Sequence, residues 1–424
     1  GGWKALSRYD SGVGGEGVSS ITLADGRFIK YAKAKPGDDQ DSLIAIDPAT
    51  GAQTTLFTPP APYDRDGAIE DPWTGVAVGV SYLADFPVQK FFDPALEAVR
   101  AKAAAKFAAG YATLTTWDRA RDAFVIHGEM GANPPAYYLY RPATDKLSMI
   151  GAEYPSLGPN DIGERLTMNF KARDGVAVPA YLTIPRGAAR KNLPLVVLVH
   201  GGPAARDDFT FDWWSAFLAS RGYGVLQPEY RGSAGYGAKW EEAGHKQWGR
   251  LMQDDVSDGV GAMIRAGIAD PKRVCIVGAS YGGYAALAGA TLTPDLYKCA
   301  IAIAGVSDLA AMLDREIDRT GRDSATVDYW KVSIGDRVAD RAAIKAASPI
   351  EHVDAVKAPI LIMHGPDDTV VPIAQSRAME KKLKDAGKAV RFVLLRGDDH
   401  WLSYAPTRTQ MLEESEKFLA ENLK

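Results

Sequence analysis

Val274-Cys275-Ile276-Val277-Gly278-Ala279-Ser280-Tyr281-Gly282-Gly283-Tyr284, running on into Ala285-Ala286-Leu287-Ala288-Gly289-Ala290, is the stretch on which the fold of this chain turns. Four β-formers, residues 274–277, make a short apolar run suited to a buried parallel strand, and residues 281–290 are rich in helix formers. Between them Gly278-Ala279-Ser280-Tyr281-Gly282 matches G-x-S-x-G, a sharp strand-to-helix turn that thrusts a serine hydroxyl above the sheet. Glycines flank the serine because side chains there would collide with the neighbouring strand and helix. A serine hydroxyl is a weak nucleophile by itself, so the turn has value only if it sets Oγ beside a base and free N–H groups.

From residue 160 onward the pattern alternates strand and helix. Residues 167–171 and 176–184 form an opening hairpin around Arg173-Asp174-Gly175, and residues 195–199 are a continuous apolar run ending at His200. A helix over 213–219, a strand over 224–227, a helix over 254–266, the strand 273–277 and a strand over 300–304 follow. Strands at 360–363 and 391–395 with helices over 373–386 and 409–423 complete a doubly wound, mostly parallel sheet of the α/β class. Residues 307–347 break the rhythm and are expected to pack over the strand ends.

Residues 18–150 read differently, as short antiparallel strands punctuated by turns. The strand-turn-strand Ser42 to Gly51 recurs in outline at Tyr138 to Asp145, an offset of about 94 residues, near two repeats of the roughly 40 to 50 that make a propeller blade. Residues 94–109 form a helical insert, with Pro94 in the first turn and Gly110 at the end. We place the boundary near Leu157-Gly158-Pro159-Asn160. Residues 1–158 are then a partial β-propeller of three to four blades and residues 159–424 an α/β-hydrolase catalytic domain.

The chain has 46% apolar and 24% charged residues and a net charge of −4, a composition with no electrostatic footprint for nucleic acid. No window reaches the length of a membrane span. Cys275 and Cys299 both lie in apolar strand-like runs and read as buried free thiols. Gly1-Gly2-Trp3-Lys4 has neither an initiator Met nor a signal-peptide core, so the N-terminus reads as cut, and cytoplasm and bacterial periplasm both stay open.

In a hydrolase sheet the acid and base follow the serine in the order Ser, Asp or Glu, His, each after a later strand. His127, His200 and His245 precede Ser280, leaving His352, His364 and His400. His352 lies between no strand and helix and reads as a surface residue, whereas His364 ends a strand directly. His400 follows the strand at 391–395 through Arg396-Gly397-Asp398-Asp399, where the base belongs. The loop Gly365-Pro366-Asp367-Asp368 after the strand 360–363 supplies the carboxylate. His400 would take the Ser280 proton, a carboxylate would orient the imidazole, and the oxyanion would face the N–H of Tyr281 and one from His200-Gly201-Gly202-Pro203, at Gly202.

These residues carry a resemblance. His200-Gly201-Gly202-Pro203, Tyr230-Arg231-Gly232-Ser233-Ala234-Gly235-Tyr236-Gly237, the serine turn, and His364-Gly365 followed by Asp368 and Val371-Pro372 are together similar to the prolyl oligopeptidase family of serine peptidases, in its acylaminoacyl- and dipeptidyl-peptidase branches. The resemblance selects Asp368 over Asp367 and implies that the hairpin region is the end of a propeller capping the site, with short peptides as substrates and no cofactor or metal. It leaves monomer and homo-oligomer open. Two departures stand out. Val370 occupies a position where several members carry an Arg or Asn that holds a substrate carbonyl, and Asp398-Asp399 precedes the histidine where a small residue is usual; those carboxylates either raise the histidine's pKa or face water. The pocket on the acyl side is expected from Tyr281, Val371 and, by resemblance, Tyr329, with apolar side chains preferred. An esterase or isopeptidase on the same three residues is the competing enzyme reading. A non-catalytic binding module would lack the Ser, Asp or His, and all three are present.

Overall fold

The computed structural model describes residues 17–424, in two compact units. One comprises the chain up to Ile162 with the short segments Asp208–Asp212 and Gly235–Lys239; the other comprises Gly163–Asp207, Trp213–Ala234 and Trp240–Lys424. No expectation from sequence anticipated that two short segments of the later chain group with the first unit.

Among the described residues the first unit holds three antiparallel sheets in chain order. The first is Gly17–Thr22, Phe28–Lys33, Asp41–Ile46 and Gln53–Phe57; the second has three strands, Arg65–Glu70, Ala77–Leu83 and Pro87–Phe91. Tyr111–Trp117, Phe124–Glu129, Ala136–Arg141 and Lys146–Ala152 make the third. The two recurring Pro-Ala-Thr turns each join the third and fourth strands of a four-stranded sheet, the first sheet and the third, so the sequence echo marks equivalent places. In the first of these turns Asp47 accepts the N–H groups of Ala49 and Thr50, which is why an acidic residue opens it. The insert is a helix, Pro94–Ala104, capped by Asp93 through the N–H of Ala95. It ends five residues before the expected 109, because the chain leaves the α-helix at Ala105 and reaches positive φ at Ala109.

The second unit is built on an eight-stranded sheet in the order Glu164–Lys171, Ala177–Ile184, Gly224–Pro228, Leu193–Val199, Ala269–Ala279, Cys299–Ile303, Ile360–His364, Val390–Leu394. The opening hairpin pairs antiparallel and the other six strands run parallel. The two faces divide by residue parity. Leu195, Val197 and Val199 join Val274 and Ile276 in a core with the helices Leu251–Arg265, Tyr281–Leu292 and Ala374–Asp385, while Val196, Leu198, Cys275 and Val277 join one with Trp213–Ser220 and Ala405–Asn422. A strand covered on both faces has no polar side to display, which explains the unbroken apolar runs. Residues 307–347, unassigned from sequence, fold as Leu309–Thr320, Ala325–Ser333 and Arg341–Ala347. Asp308 and Ser324 cap the first two by accepting the N–H groups of Ala311 and Val327.

The expectation of two free thiols is corrected. Cys275 and Cys299 are register partners on adjacent parallel strands, their Cα atoms 4.8 Å apart, and their sulfurs are bonded. Only the strand register puts two cysteines 24 residues apart face to face. Among the described residues no helix is long and apolar enough to cross a membrane.

Candidate active site

The strand Ala269–Ala279 ends at Ser280, which adopts φ 58° and ψ −119° before the helix Tyr281–Leu292 begins. Positive φ on a non-glycine residue is strained, and here a hydrogen bond from the Ser280 N–H to the Ile303 carbonyl, 2.9 Å, holds it. The flanking glycines are required by close approach. A Cβ on Gly282 would overlap the Val199 carbonyl, and one on Gly278 would lie 2.5 Å from the Gly282 backbone. The strand before, the helix after and the adjacent strand thus meet at one point with room for a single side chain, that of Ser280.

The structure brings Ser280, His400 and Asp368 together at the C-terminal ends of three strands. Ser280 Oγ lies 3.0 Å from His400 Nε2, and His400 Nδ1 lies 2.7 Å from Asp368 Oδ2. The carboxylate fixes the tautomer: Nδ1–H donates to Asp368, leaving the Nε2 lone pair to accept from the serine hydroxyl. Asp368 Oδ1 accepts the N–H groups of Val370 and Val371, each at 2.8 Å. Burial alone would raise its pKa, but the hydrogen bonds from His364 and His400 outweigh it and hold the carboxyl far below its ordinary range. Asp367, its neighbour, is exposed.

His364 is the participant that sequence reasoning set aside. Fully buried, it places Nε2 3.1 Å from Asp368 Oδ2 and 3.0 Å from the Val371 carbonyl, with Nδ1 2.7 Å from Ser376 Oγ. Two acceptors at Nε2 require the proton there, so His364 donates to the same carboxylate oxygen that His400 uses. The signal was present in its place at the very end of a strand, four residues before the acid. Arg315, from the helix Leu309–Thr320, donates to the carbonyls of Thr369 and Val370 and braces the acid's loop from the other side.

The loop after Leu193–Val199 passes over the serine. A Cβ on Gly201 would sit 3.4 Å from Ser280 Cβ, and Gly202 follows with φ 120°, a conformation that side chains resist. His200 points inward instead of toward the serine. Its ring stacks on Tyr230 at 4.4 Å, with Nδ1 2.8 Å from the Gly201 carbonyl and Nε2 3.0 Å from Ser233 Oγ. Tyr230 donates to the His200 carbonyl at 3.0 Å, and Arg231 is anchored on Asp255 through Nε and Nη2, so the two glycine-rich loops hold each other.

Burial pushes the His200 pKa down to about 4, against an ordinary value near 6.5. A histidine held neutral in the folded state but protonated in the unfolded chain contributes full stability above pH 6.5 and loses it as pH falls toward 4. Thermal unfolding followed across that window should show a loss of roughly 3 kcal/mol attributable to this residue. The slope should flatten in His200→Asn; an equally steep slope in that variant would place the effect elsewhere.

The expected pocket residues divide. The Tyr281 ring is 2% exposed and packs against Tyr230, Trp248 and Tyr284; Val371 is also 2% exposed and lies in the core. Neither side chain is open to solvent, and only Tyr329 remains partly exposed, 4.9 Å from Trp330, which in turn meets Trp248. The Tyr281 N–H opens a helix and is one of the first-turn donors without a helical partner. Asp398 is buried away from water, whereas Asp399 is partly exposed. The buried Asp398 accepts from Thr407 Oγ1 and from the N–H of Tyr404, and Asp399 accepts the N–H groups of Trp401 and Ser403, so both carboxylates shape the loop that carries His400.

The fold recurs in known proteins. The model of the prolyl oligopeptidase family matches residues 209–424. Dipeptidyl aminopeptidase BIII of Pseudoxanthomonas mexicana is 32% identical over 422 residues, 95% of this chain and 59% of that protein. The acylamino-acid-releasing enzyme of Arabidopsis thaliana is 32% identical over 218 residues, 50% of this chain and 28% of the enzyme. A solved puromycin-hydrolyzing peptidase of Mycobacterium tuberculosis superimposes with a TM-score of 0.79 at 23% identity, over 96% of this chain and 62% of that one, a likeness of fold. The chain therefore spans about three fifths of the length of the Pseudoxanthomonas and Mycobacterium proteins and less of the Arabidopsis enzyme. Since the family's model covers half of the chain, including the serine turn and the loops that carry Asp368 and His400, the chain belongs to the prolyl oligopeptidase family.

Proposed function

We propose that this chain carries the hydrolytic site of a serine peptidase that cleaves short peptides through an acyl-enzyme on Ser280. The observation that carries the reading is the unbroken relay from Ser280 Oγ to His400 Nε2 and from His400 Nδ1 to Asp368, at 3.0 and 2.7 Å. In the first half-reaction Oγ bonds to the substrate carbonyl carbon while its proton passes to His400 Nε2. The C–N bond then breaks, and the same proton goes to the leaving nitrogen. Water, deprotonated by His400, then attacks the ester carbon; the bond from that carbon to Oγ breaks, His400 returns the proton to Ser280 Oγ, and the acid is released. The N–H groups of Tyr281 and Gly202 are the donors to the developing oxyanion. Relatives named for dipeptide and acylamino-acid release support peptides as the substrate class.

On this reading residues 159–424 are the catalytic domain, and the three sheets between residues 17 and 152 are blades of a propeller. The acyl-side pocket is walled by aromatic rings, with Tyr329 at its open side and Tyr281 and Val371 backing it. Apolar or aromatic side chains, proline included, are preferred there over charged ones, because an unpaired buried charge costs several kcal/mol. A fluorophosphonate probe should label Ser280, and a peptide library varied at the acyl-side residue should peak at an apolar side chain. An absence of labelling would overturn the peptidase reading, and an optimum at Lys, Arg, Asp or Glu would overturn the pocket.

A further inference from the structure

The residue after the proposed base is the most conspicuous exposed aromatic of the catalytic unit. Trp401 is 69% exposed, and its ring stands 5.5 Å from the His400 ring at 86° to it. A single exposed apolar side chain is ordinary on any protein surface. This one is held out by its neighbours. Its N–H is fixed on Asp399 Oδ1 at 2.9 Å, and the next N–H but one, that of Ser403, reaches the same oxygen at 3.2 Å. Leu402 between them takes φ 55°, a conformation that a leucine resists, and is turned into the core beside Leu395 and Met411. The loop therefore buries its smaller apolar side chain, at the expense of a strained backbone, and leaves the larger one in water. Burial of apolar area alone would favour the opposite choice. Strain of this kind next to reacting groups points to use.

The chemistry says what the use is. His400 Nε2 must hand its proton to the leaving nitrogen, so that nitrogen sits within hydrogen-bond distance of the imidazole when the C–N bond breaks. The side chain of the leaving residue branches one bond from that nitrogen, and the Trp401 ring lies 5.5 Å from the imidazole that protonates it. Resting on the acyl-enzyme reading above, we infer that Trp401 is a specificity determinant for the leaving-group side of the scissile bond, a platform that favours a planar aromatic residue there. Acyl-side residues lie on the other side of the scissile bond from the nitrogen that His400 protonates. Hydrolysis of the acyl-enzyme is likewise beyond its reach, since the leaving group has departed.

The test uses Gly-Phe-Xaa-amide peptides, with the amino terminus free or acetylated, in which Xaa is phenylalanine or alanine. The unaltered chain should cleave the phenylalanine amide with kcat/KM about tenfold above the alanine amide. Trp401→Ala should lose that ratio by lowering the phenylalanine value alone, Trp401→Phe should keep most of it, and the decay of a pre-formed acyl-enzyme should be the same in all three. Equal rates on the two amides in the unaltered chain, or an equal fall on both in Trp401→Ala, would overturn the inference while Ser280 still labels with fluorophosphonate. A chain that does not label at Ser280 would overturn the acyl-enzyme reading and this inference with it.

Discussion

Ser280→Ala is expected to reduce peptide turnover by on the order of 10⁶ and to abolish labelling by fluorophosphonate, with the melting temperature unchanged. The size of the effect follows from the geometry. Ser280 Oγ is the atom set against His400 Nε2, and the glycine contacts around the turn leave space for one side chain only. Alanine keeps that space, and the backbone strain at φ 58° is carried by the Ser280 N–H to Ile303 hydrogen bond, which the substitution does not touch. The fold should therefore persist while the nucleophile is gone. Retained labelling in the variant, measured by mass on the modified peptide, would show that another residue attacks.

Asp368→Asn is expected to lower kcat by about 10⁴, against a change within about twofold for Asp367→Asn. The carboxylate receives His400 Nδ1 and His364 Nε2 on one oxygen and the N–H groups of Val370 and Val371 on the other, so all four of these neighbours face it as donors. An asparagine brings its own donor, and either orientation of the amide turns NH₂ toward N–H groups. His400 can relieve the clash only by moving its proton to Nε2, the tautomer that cannot accept from serine. Asp367 is exposed and makes none of these contacts. The same rate from both asparagine variants would overturn the assignment, as would a loss in Asp368→Asn that unfolding accounts for in a thermal melt.

Much of this site was legible in the sequence. The five residues of the serine turn carry their geometry in composition, since only glycine tolerates the contacts at 278 and 282. The strand order of a hydrolase sheet then restricted the acid and base to loops after later strands, and His400 and Asp368 both lie there. Local periodicity could not reach His364, because a histidine that ends a strand looks the same whether it packs, coordinates or donates. Its part depends on two loops from different strands arriving at one carboxylate oxygen. Residues 307–347 were harder to read because no strand runs between their helices, so the alternation of strand and helix that orders the rest of the sheet is absent there.

What the sequence determined by itself was the class of fold, the elbow and the order of its partners, since each rests on short-range rules: strand and helix periodicity, glycine at crowded turns, and chain order. Only the tertiary structure decided the rest. It bonded Cys275 to Cys299 through strand register, set the Tyr281 and Val371 side chains in the core, and turned Asp398 and Asp399 into loop anchors that leave Trp401 in water beside His400. Each of these outcomes depends on which side of a strand or loop a side chain emerges, and on what arrives opposite it from a distant part of the chain. Neither is encoded in any local pattern.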